Sequence, residues 1–347
     1  MSGGVDSSVA AWLLKNSGYD CIGAAMKLFS SDDIGVESES GCCTQADIAD
    51  ARAVSECLGM PFYVFNFAED FAKQVIQRFA HAYRSGHTPN PCIDCNRYMK
   101  FERFMRRARE IGCDCVATGH YAIIEHTGGR YLLKKAIDLS KDQSYVLYSM
   151  TQEQLSETRF PLGGLTKTEV REIAAEQGFA NAKKRDSQDI CFAPDGDYAS
   201  FIEMYTGFRA KKGRFVDKNG NDLGEHKGVI HYTVGQRRGL GLSAASPLYV
   251  RELHPNSNTV VVGTEGELYS KELSARDINL ISVDKIDSPL QVGAKIRYSQ
   301  HEQPATVWQL DEDTLRVEFD APQRAITKGQ AVVLYDGNTV VGGGTIA

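Results

Sequence analysis

Apolar positions recur at helical spacing from Val5 to about Lys15, and the run CIGAAMKLF that follows reads as a buried strand. Helical period returns between Thr44 and Leu58, and PFYVFNF is again strand-like. A helix is expected from about Phe67 to Tyr83, another from about Asn96 to Ile111, and then a strand over CDCVATGHYA. Alternation of this kind predicts an α/β domain. Its parallel sheet would carry helices on both faces, with ligands at the carboxyl ends of the strands.

Beyond about Ser200 the pattern changes. Turn residues crowd KKGRFVDKNGNDLGEHKG, where Asn-Gly is a strong hairpin signal. From Asp277 onward short alternating runs such as TVWQL, TLRVEF and AVVLYDGNTVVGGG predict a small antiparallel barrel or sandwich. With 347 residues the chain is long for one domain. We expect three: 1–197 as the α/β domain, 198–274 as a small central module and 275–347 as a C-terminal β-barrel.

Composition changes this picture little. Apolar residues make up 42% and charged residues 24%, and no apolar run approaches the length of a membrane span, so a soluble chain is expected. No export signal opens it, which points to the cytoplasm. There, nine cysteines are expected to be reduced, catalytic or metal-bound rather than a disulfide framework. A net charge of −6 argues against broad coating of nucleic acid. Local basic clusters nevertheless keep an RNA partner open: Arg103, Arg106, Arg107 and Arg109; Lys183, Lys184 and Arg185; Arg209, Lys211, Lys212 and Arg214; Arg237 and Arg238.

Two stretches carry chemistry. In MSGGVDSSVAAWLL, the residues Ser2, Gly3, Gly4, Val5, Asp6, Ser7 and Ser8 stand at the start of an apolar helix. Glycines let the backbone approach an anion, and hydroxyls with unpaired N–H groups donate to it, so this is a candidate phosphate cradle. It lacks the Gly-Lys-Ser/Thr of the common nucleotide loop, and a ligand-free capped helix start remains the alternative. In TPNPCIDCNRYMKF, Cys92 and Cys95 are three apart before an expected helix start, with Arg97 and Lys100 behind, a setting that suits an activated thiol. A zinc site would want a second such pair, and there is none at standard spacing. Cys21, Cys57, Cys113 and Cys115 read as small buried hydrophobes, the last two on one strand face.

SGGVDSS resembles the loop of the PP-loop ATP pyrophosphatases, which cleave ATP between the α and β phosphates and adenylate a carbonyl or amide oxygen. In that superfamily the loop follows a buried first strand, whereas here only Met1 precedes it, so a chain shortened at its N-terminus is expected. The further stretches NPCIDCNRYMKF, ATGHYA, KDQSYVLY, SQDICF, HYTVGQRRGLG and KGQAVVLYDG with VVGGGTI resemble, in order, the tRNA-specific 2-thiouridylase family.

The resemblance implies an adenine-nucleotide alpha-hydrolase-like fold in the first domain and an ATP-dependent, Mg²⁺-assisted exchange of the C2 oxygen of a wobble uridine for sulfur. Cys95 matches the cysteine beside the target base, and Cys191 the one carrying persulfide sulfur from a donor such as a cysteine desulfurase or sulfur relay protein. Met26 and Gly119 match ATP contacts. Asn90, Pro91 and Cys92 match the target-base segment. There many relatives carry aspartate in place of Cys92, which leaves its role open. His120, the run Lys141, Asp142 and Gln143, and Arg297, Tyr298 and Gln330 match contacts to the anticodon arm of tRNA, toward which the central module and barrel would also serve. Cys92, Cys95 and Cys191 could instead hold a [4Fe-4S] cluster. A different PP-loop ligase and a noncatalytic tRNA-binding chain are the rival functions.

Overall fold

A computed structural model describes residues 1–29, 44–184, 190–193 and 196–347. Cys42, Cys43, Arg185 and the first three residues of SQDICF lie outside them. The chain divides into two compact units: one of Met1–Ile76, Pro91–Gly196 and Asn338–Val340, the other of Gln77–Asn90, Asp197–Gly337 and Val341–Ala347.

The first unit opens with α1 (Val5–Asn16), β1 (Gly23–Lys27), α2 (Gln45–Cys57) and β2 (Phe62–Asn66). β1 and β2 pair in parallel, Gly23 opposite Phe62 through Lys27 opposite Asn66. A reciprocal capping box starts α2: Thr44 accepts from the Asp47 N–H, and the Asp47 carboxylate accepts from the Thr44 N–H. Val5 and Val9 of α1 face the core with Tyr121, Leu162, Val170 and Ala174.

Three expectations need correction here. The strand forecast over CDCVATGHYA shrinks to β3 (Val116–Ala117), and pairing resumes only in a hairpin of β4 (Ala122–Thr127) with β5 (Arg130–Lys135). Between β3 and β4 the chain turns aside so that Gly119 can touch the first turn of α1. A Cβ there would lie 2.8 Å from the Asp6 carbonyl carbon and the Ser7 nitrogen. The hairpin turn is Gly128–Gly129, both at positive φ, a signal the strand reading passed over. β3 pairs in parallel with β6 (Thr158–Arg159), so the described parallel strands of the first unit form two pairs.

The forecast of buried thiols also fails. Cys57 is exposed, and Cys21, Cys113 and Cys115 are half-buried, the last two flanking the exposed Asp114 ahead of β3. Burial still pushes the Cys21 and Cys113 thiols up, away from reactivity.

Finally, helical backbone begins at Pro91 rather than Asn96. Proline suits a first helical position, where its missing N–H costs no bond. Pro91–Asp94 is α-helical, Cys95–Phe104 is wound as a π-helix and Met105–Glu110 returns to α. The earlier helix likewise runs as Ala68–Phe71, a π segment Ala72–Ile76 and Gln77–Arg84.

In the second unit, the Asn219–Gly220 turn joins β7 (Gly213–Val216) to β8 (Asp222–His226). β9 (Tyr249–His254) and β10 (Thr259–Gly263) complete a sheet ordered β8-β7-β10-β9 over Phe215, Tyr232, Val250 and Val260. The barrel follows as β11 (Tyr269–Leu280), β12 (Leu290–Lys295), β13 (Gln303–Gln309), β14 (Leu315–Arg324), β15 (Ala331–Asp336) and β16 (Thr339–Ile346). Its order is β11-β14-β13-β12-β15-β16, closed by β11 on β16. Alternate residues fill it, among them Val317, Phe319, Val332 and Leu334. Leu334→Ala should therefore lower the stability of the barrel by about 2–5 kcal/mol, read from its urea transition. An unchanged midpoint would deny Leu334 its place in that core.

Candidate functional site

The phosphate loop is shaped by what it must avoid. Gly3 has φ of +69°, and a Cβ on it would lie 2.2 Å from the Asp47 carbonyl oxygen at the start of α2. Gly4 is the N-cap of α1 and offers no side-chain cap, so the N–H groups of the first turn face forward. Ser7 Oγ donates to Gly4 O at 3.0 Å and accepts from the Ser2 N–H at 3.1 Å, while Ser8 Oγ donates to Gly4 O at 3.1 Å. Gly119 closes the loop from the side. Glycine, hydroxyl and bare helix start thus fit the phosphates of a nucleotide.

Residues distant in sequence brace this loop. Asn181 Nδ2 donates to Gly3 O and Ser8 Oγ, each at 2.9 Å. Because Gly3 O can only accept, the amide orientation is decided, and the buried Oδ1 meets no donor among the described residues. Lys167 Nζ lies 2.7 and 2.8 Å from the two oxygens of Asp6, and Tyr121 OH donates to the nearer of them at 2.8 Å. Lys184 Nζ is 2.7 Å from both Asp47 and Asp50. Burial opposes its charge, but the two carboxylates outweigh it and raise its pKa. None of Asn181, Lys167 and Tyr121 was nominated from sequence, and Lys184 only as part of a basic cluster. Only the basic run at 183–185 and the Thr-Lys-Thr-Glu capping pattern hinted at them. Met26 is half-buried and next to last in β1, opposite Phe65.

Cys92 is exposed, and Cys95 and Cys191 are half-buried. Cys95 is the first residue of the π segment, one turn into the helix instead of just ahead of it. In a π-helix the backbone bonds i to i+5, so Cys95 and Lys100 stand one turn apart on one side. An α-helix would set them far round from each other. The neighbouring Asn96 is buried and donates to Val146 O at 3.0 Å, which anchors this turn. Among the described residues no three His, Cys, Asp or Glu side chains converge as metal ligands. The [4Fe-4S] alternative for Cys92, Cys95 and Cys191 therefore has no support in the described geometry.

The residues nominated for tRNA behave unequally. His120 is buried, with Lys100 Nζ 3.2 Å from Nε2 and Thr118 Oγ1 2.7 Å from Nδ1. The ammonium must donate, so Nε2 accepts and Nδ1 carries the proton. Burial, then the Lys100 charge, holds its pKa well below 6.5. Asp142 accepts from the Ala136 N–H and the Ser144 hydroxyl, and Gln143 Oε1 from the Tyr121 N–H. Both brace backbone, while Lys141 beside them is half-buried.

Asn90 falls in the second unit and Pro91, buried, in the first. In the second unit Arg297 Nη2 donates to Ala325 O at 2.5 Å, Gln330 Nε2 to Thr88 O at 2.7 Å, and Tyr298 is exposed. Many basic residues are already matched by carboxylates: Arg103 with Asp70, Arg107 with Glu110, Arg109 with Glu153 and Glu157, Lys212 with Glu225, and Arg214 with Asp222. Cavities of about 360 and 340 Å³ occur in the central module, one lined by Arg237, residues 239–242 and residues 244–248, the other by Lys218, Arg251 and His254 among others. Neither includes the loop or the thiols.

Comparison with known proteins adds to this geometry. The family model described as tRNA methyl transferase HUP domain matches residues 1–195, the tRNA methyl transferase PRC-barrel domain 199–264, and the aminomethyltransferase beta-barrel domain 270–346. The tRNA-specific 2-thiouridylase MnmA of Clostridioides difficile (strain 630) is 54% identical over 348 residues, covering 100% of this chain and 96% of that protein. That of Acetivibrio thermocellus is 52% identical over 349 residues (100% and 97%), and that of Lachnoclostridium phytofermentans 49% over 348 (100% and 98%). Fold and loop together define a HUP-domain protein of the PP-loop kind, extended by a PRC barrel and a β-barrel. The chain belongs to the tRNA-specific 2-thiouridylase MnmA family.

The His120 environment predicts a pH effect on the fold. A base whose folded pKa is depressed lets the unfolded chain take up a proton first, so stability is full above about 6.5 and declines as pH falls below it. The melting temperature should drop between pH 7 and pH 5.5, and His120→Gln should flatten that drop. Equal slopes for the two proteins would show that His120 does not carry it.

Proposed function

We propose that the chain is a tRNA-uridine 2-sulfurtransferase working in the cytoplasm on the wobble uridine, position 34, in the anticodon arm of tRNA. The full-length identity to 2-thiouridylases carries the reading. A phosphate cradle and two accessible cysteines in one unit support it. The family model's description speaks of methyl transfer, but these are the parts of an adenylation and sulfur transfer.

Uridine C2 is a poor electrophile with oxygen as a poor leaving group, so the oxygen is first made part of an adenylate. The C2 oxygen attacks the α-phosphorus of ATP held at Ser2–Ser8, with Met26 and Gly119 bordering the nucleotide, and pyrophosphate leaves. Mg²⁺ would accompany ATP and neutralise the pyrophosphate, with the Asp6 carboxylate and the loop hydroxyls as the oxygen donors at hand.

The terminal sulfur of a persulfide on Cys191, supplied by a donor protein, then attacks C2, and AMP departs. The base now carries a disulfide link to Cys191. The Cys95 thiolate attacks the Cys191 sulfur and releases 2-thiouridine, leaving a Cys95–Cys191 disulfide that an external thiol reduces. Lys100 stands one π-turn along from Cys95. Asn90, Pro91 and Cys92 border the target base. His120, Lys141, Asp142, Gln143, Arg297, Tyr298 and Gln330 are the nominated tRNA contacts, and of these Asp142, Gln143 and Arg297 also bond backbone groups. The division 1–197, 198–274 and 275–347 follows the same assignment, supported by the spans of the three family models.

The test is formation of 2-thiouridine in unmodified tRNA with ATP and a persulfide donor, read by nucleoside mass spectrometry. Cys95→Ser and Cys191→Ser should each lower it at least about 1,000-fold while ATP binding persists, as expected when a covalent participant is removed. Cys95→Ser with unimpaired turnover would rule out the relay. Gly119→Ala should weaken ATP binding about tenfold or more, because its Cβ would displace the first turn of α1. Calorimetric titration with unchanged affinity would remove Gly119 from the nucleotide site.

A further inference from the structure

Lys167 is the first residue of the helix Lys167–Glu176, a position where the helix dipole disfavours a cation. That helix start is already served by its own capping box, in which Thr166 and Glu169 bond reciprocally. The ammonium therefore does nothing for its own helix. It is buried and directed at Asp6, within 2.8 Å of both carboxylate oxygens. Asp6 in turn sits in the first turn of α1, immediately beside the bare N–H groups of the phosphate loop.

A lone carboxylate at that place would repel the phosphates that the loop attracts. Lys167 cancels its charge and brings a flexible point charge to the rim of an anion site.

We propose that Lys167 is a phosphate-binding residue of the nucleotide site, held ready by Asp6 and passed to the β and γ phosphates of ATP when a divalent cation takes over the Asp6 carboxylate. This rests on the reading of the loop as an ATP site. Carboxylate oxygen is a preferred ligand for Mg²⁺, and an ammonium released from it has charge-assisted bonds to gain from phosphate oxygens. Arriving nucleotide and cation thus exchange the Lys167–Asp6 ion pair for two pairs of the same kind. No bond is made or broken in the exchange. The four-carbon stem of the lysine supplies the reach.

Calorimetric titrations separate this role from a structural one. Wild type, Lys167→Met and Lys167→Arg are each titrated with MgATP, with inorganic pyrophosphate plus Mg²⁺, and with adenosine, after melting curves confirm that each variant is folded. Lys167→Met should weaken MgATP and pyrophosphate by about 10–100-fold, the range of one charge-assisted contact, and adenosine by less than about threefold. Lys167→Arg should fall between. Unchanged pyrophosphate affinity in Lys167→Met overturns the proposal, and so does an equal loss for adenosine, which marks a structural brace. A wild type that binds neither MgATP nor pyrophosphate overturns the ATP reading beneath it. If Lys167→Met does not fold, Lys167→Arg decides, and phosphate-selective weakening in it is the expected result.

Discussion

The backbone between Gly3 and Ser7 has to fit against three other segments at van der Waals distance, and the first unit is arranged around that constraint. The Asp47 carbonyl at the head of α2 excludes any side chain at position 3, and the first turn of α1 excludes any at 119. Asn181 ties the loop from a third side through bonds to Gly3 and Ser8. Each approach requires an element to stop where it does. β3 ends at Ala117 because Gly119 must leave the ladder to reach α1, and α2 starts at Gln45 because its capping box places Asp47 against Gly3. A helix start held this rigidly presents its N–H groups without reorganisation, which is the property an anion site needs.

Charge follows the same economy. Asp6 is offset by Lys167, and Asp47 with Asp50 by Lys184, so the acidic groups around the loop are each matched within the unit. The arginine clusters that stand out in the sequence are likewise matched by carboxylates at Arg103, Arg107, Arg109 and Arg214. Pairs at the surface contribute little stability each, and their effect is to flatten the field. A net acidic chain that acts on RNA then relies on shape and on a few placed groups more than on overall attraction.

The thiol segment shows how winding alone can change chemistry. Five residues separate Cys95 from Lys100, a spacing that an α-helix turns apart and a π-helix turns together. Asn96 and the Lys100–His120–Thr118 chain anchor that segment to its surroundings. The neutral, buried His120 acts there as an acceptor for the ammonium, a role for which its depressed pKa is the physical condition.

The sequence by itself determined the alternation of strand and helix, the barrel at the C-terminal end, the Asn-Gly hairpin and the glycine-serine loop at a helix start. These are local matters of period, turn chemistry and propensity, and they survive folding unchanged. It also nominated Cys95 and Cys191 through resemblance, since motif spacing is a property of the chain. Only the tertiary structure decided that the expected strand at 113–122 breaks at Gly119 and that the thiol helix begins at Pro91 and winds as π. It alone brought Lys167, Tyr121 and Asn181 to the loop, each more than a hundred residues away along the chain. Such contacts depend on packing between distant segments, and no local pattern records which lysine will find which carboxylate.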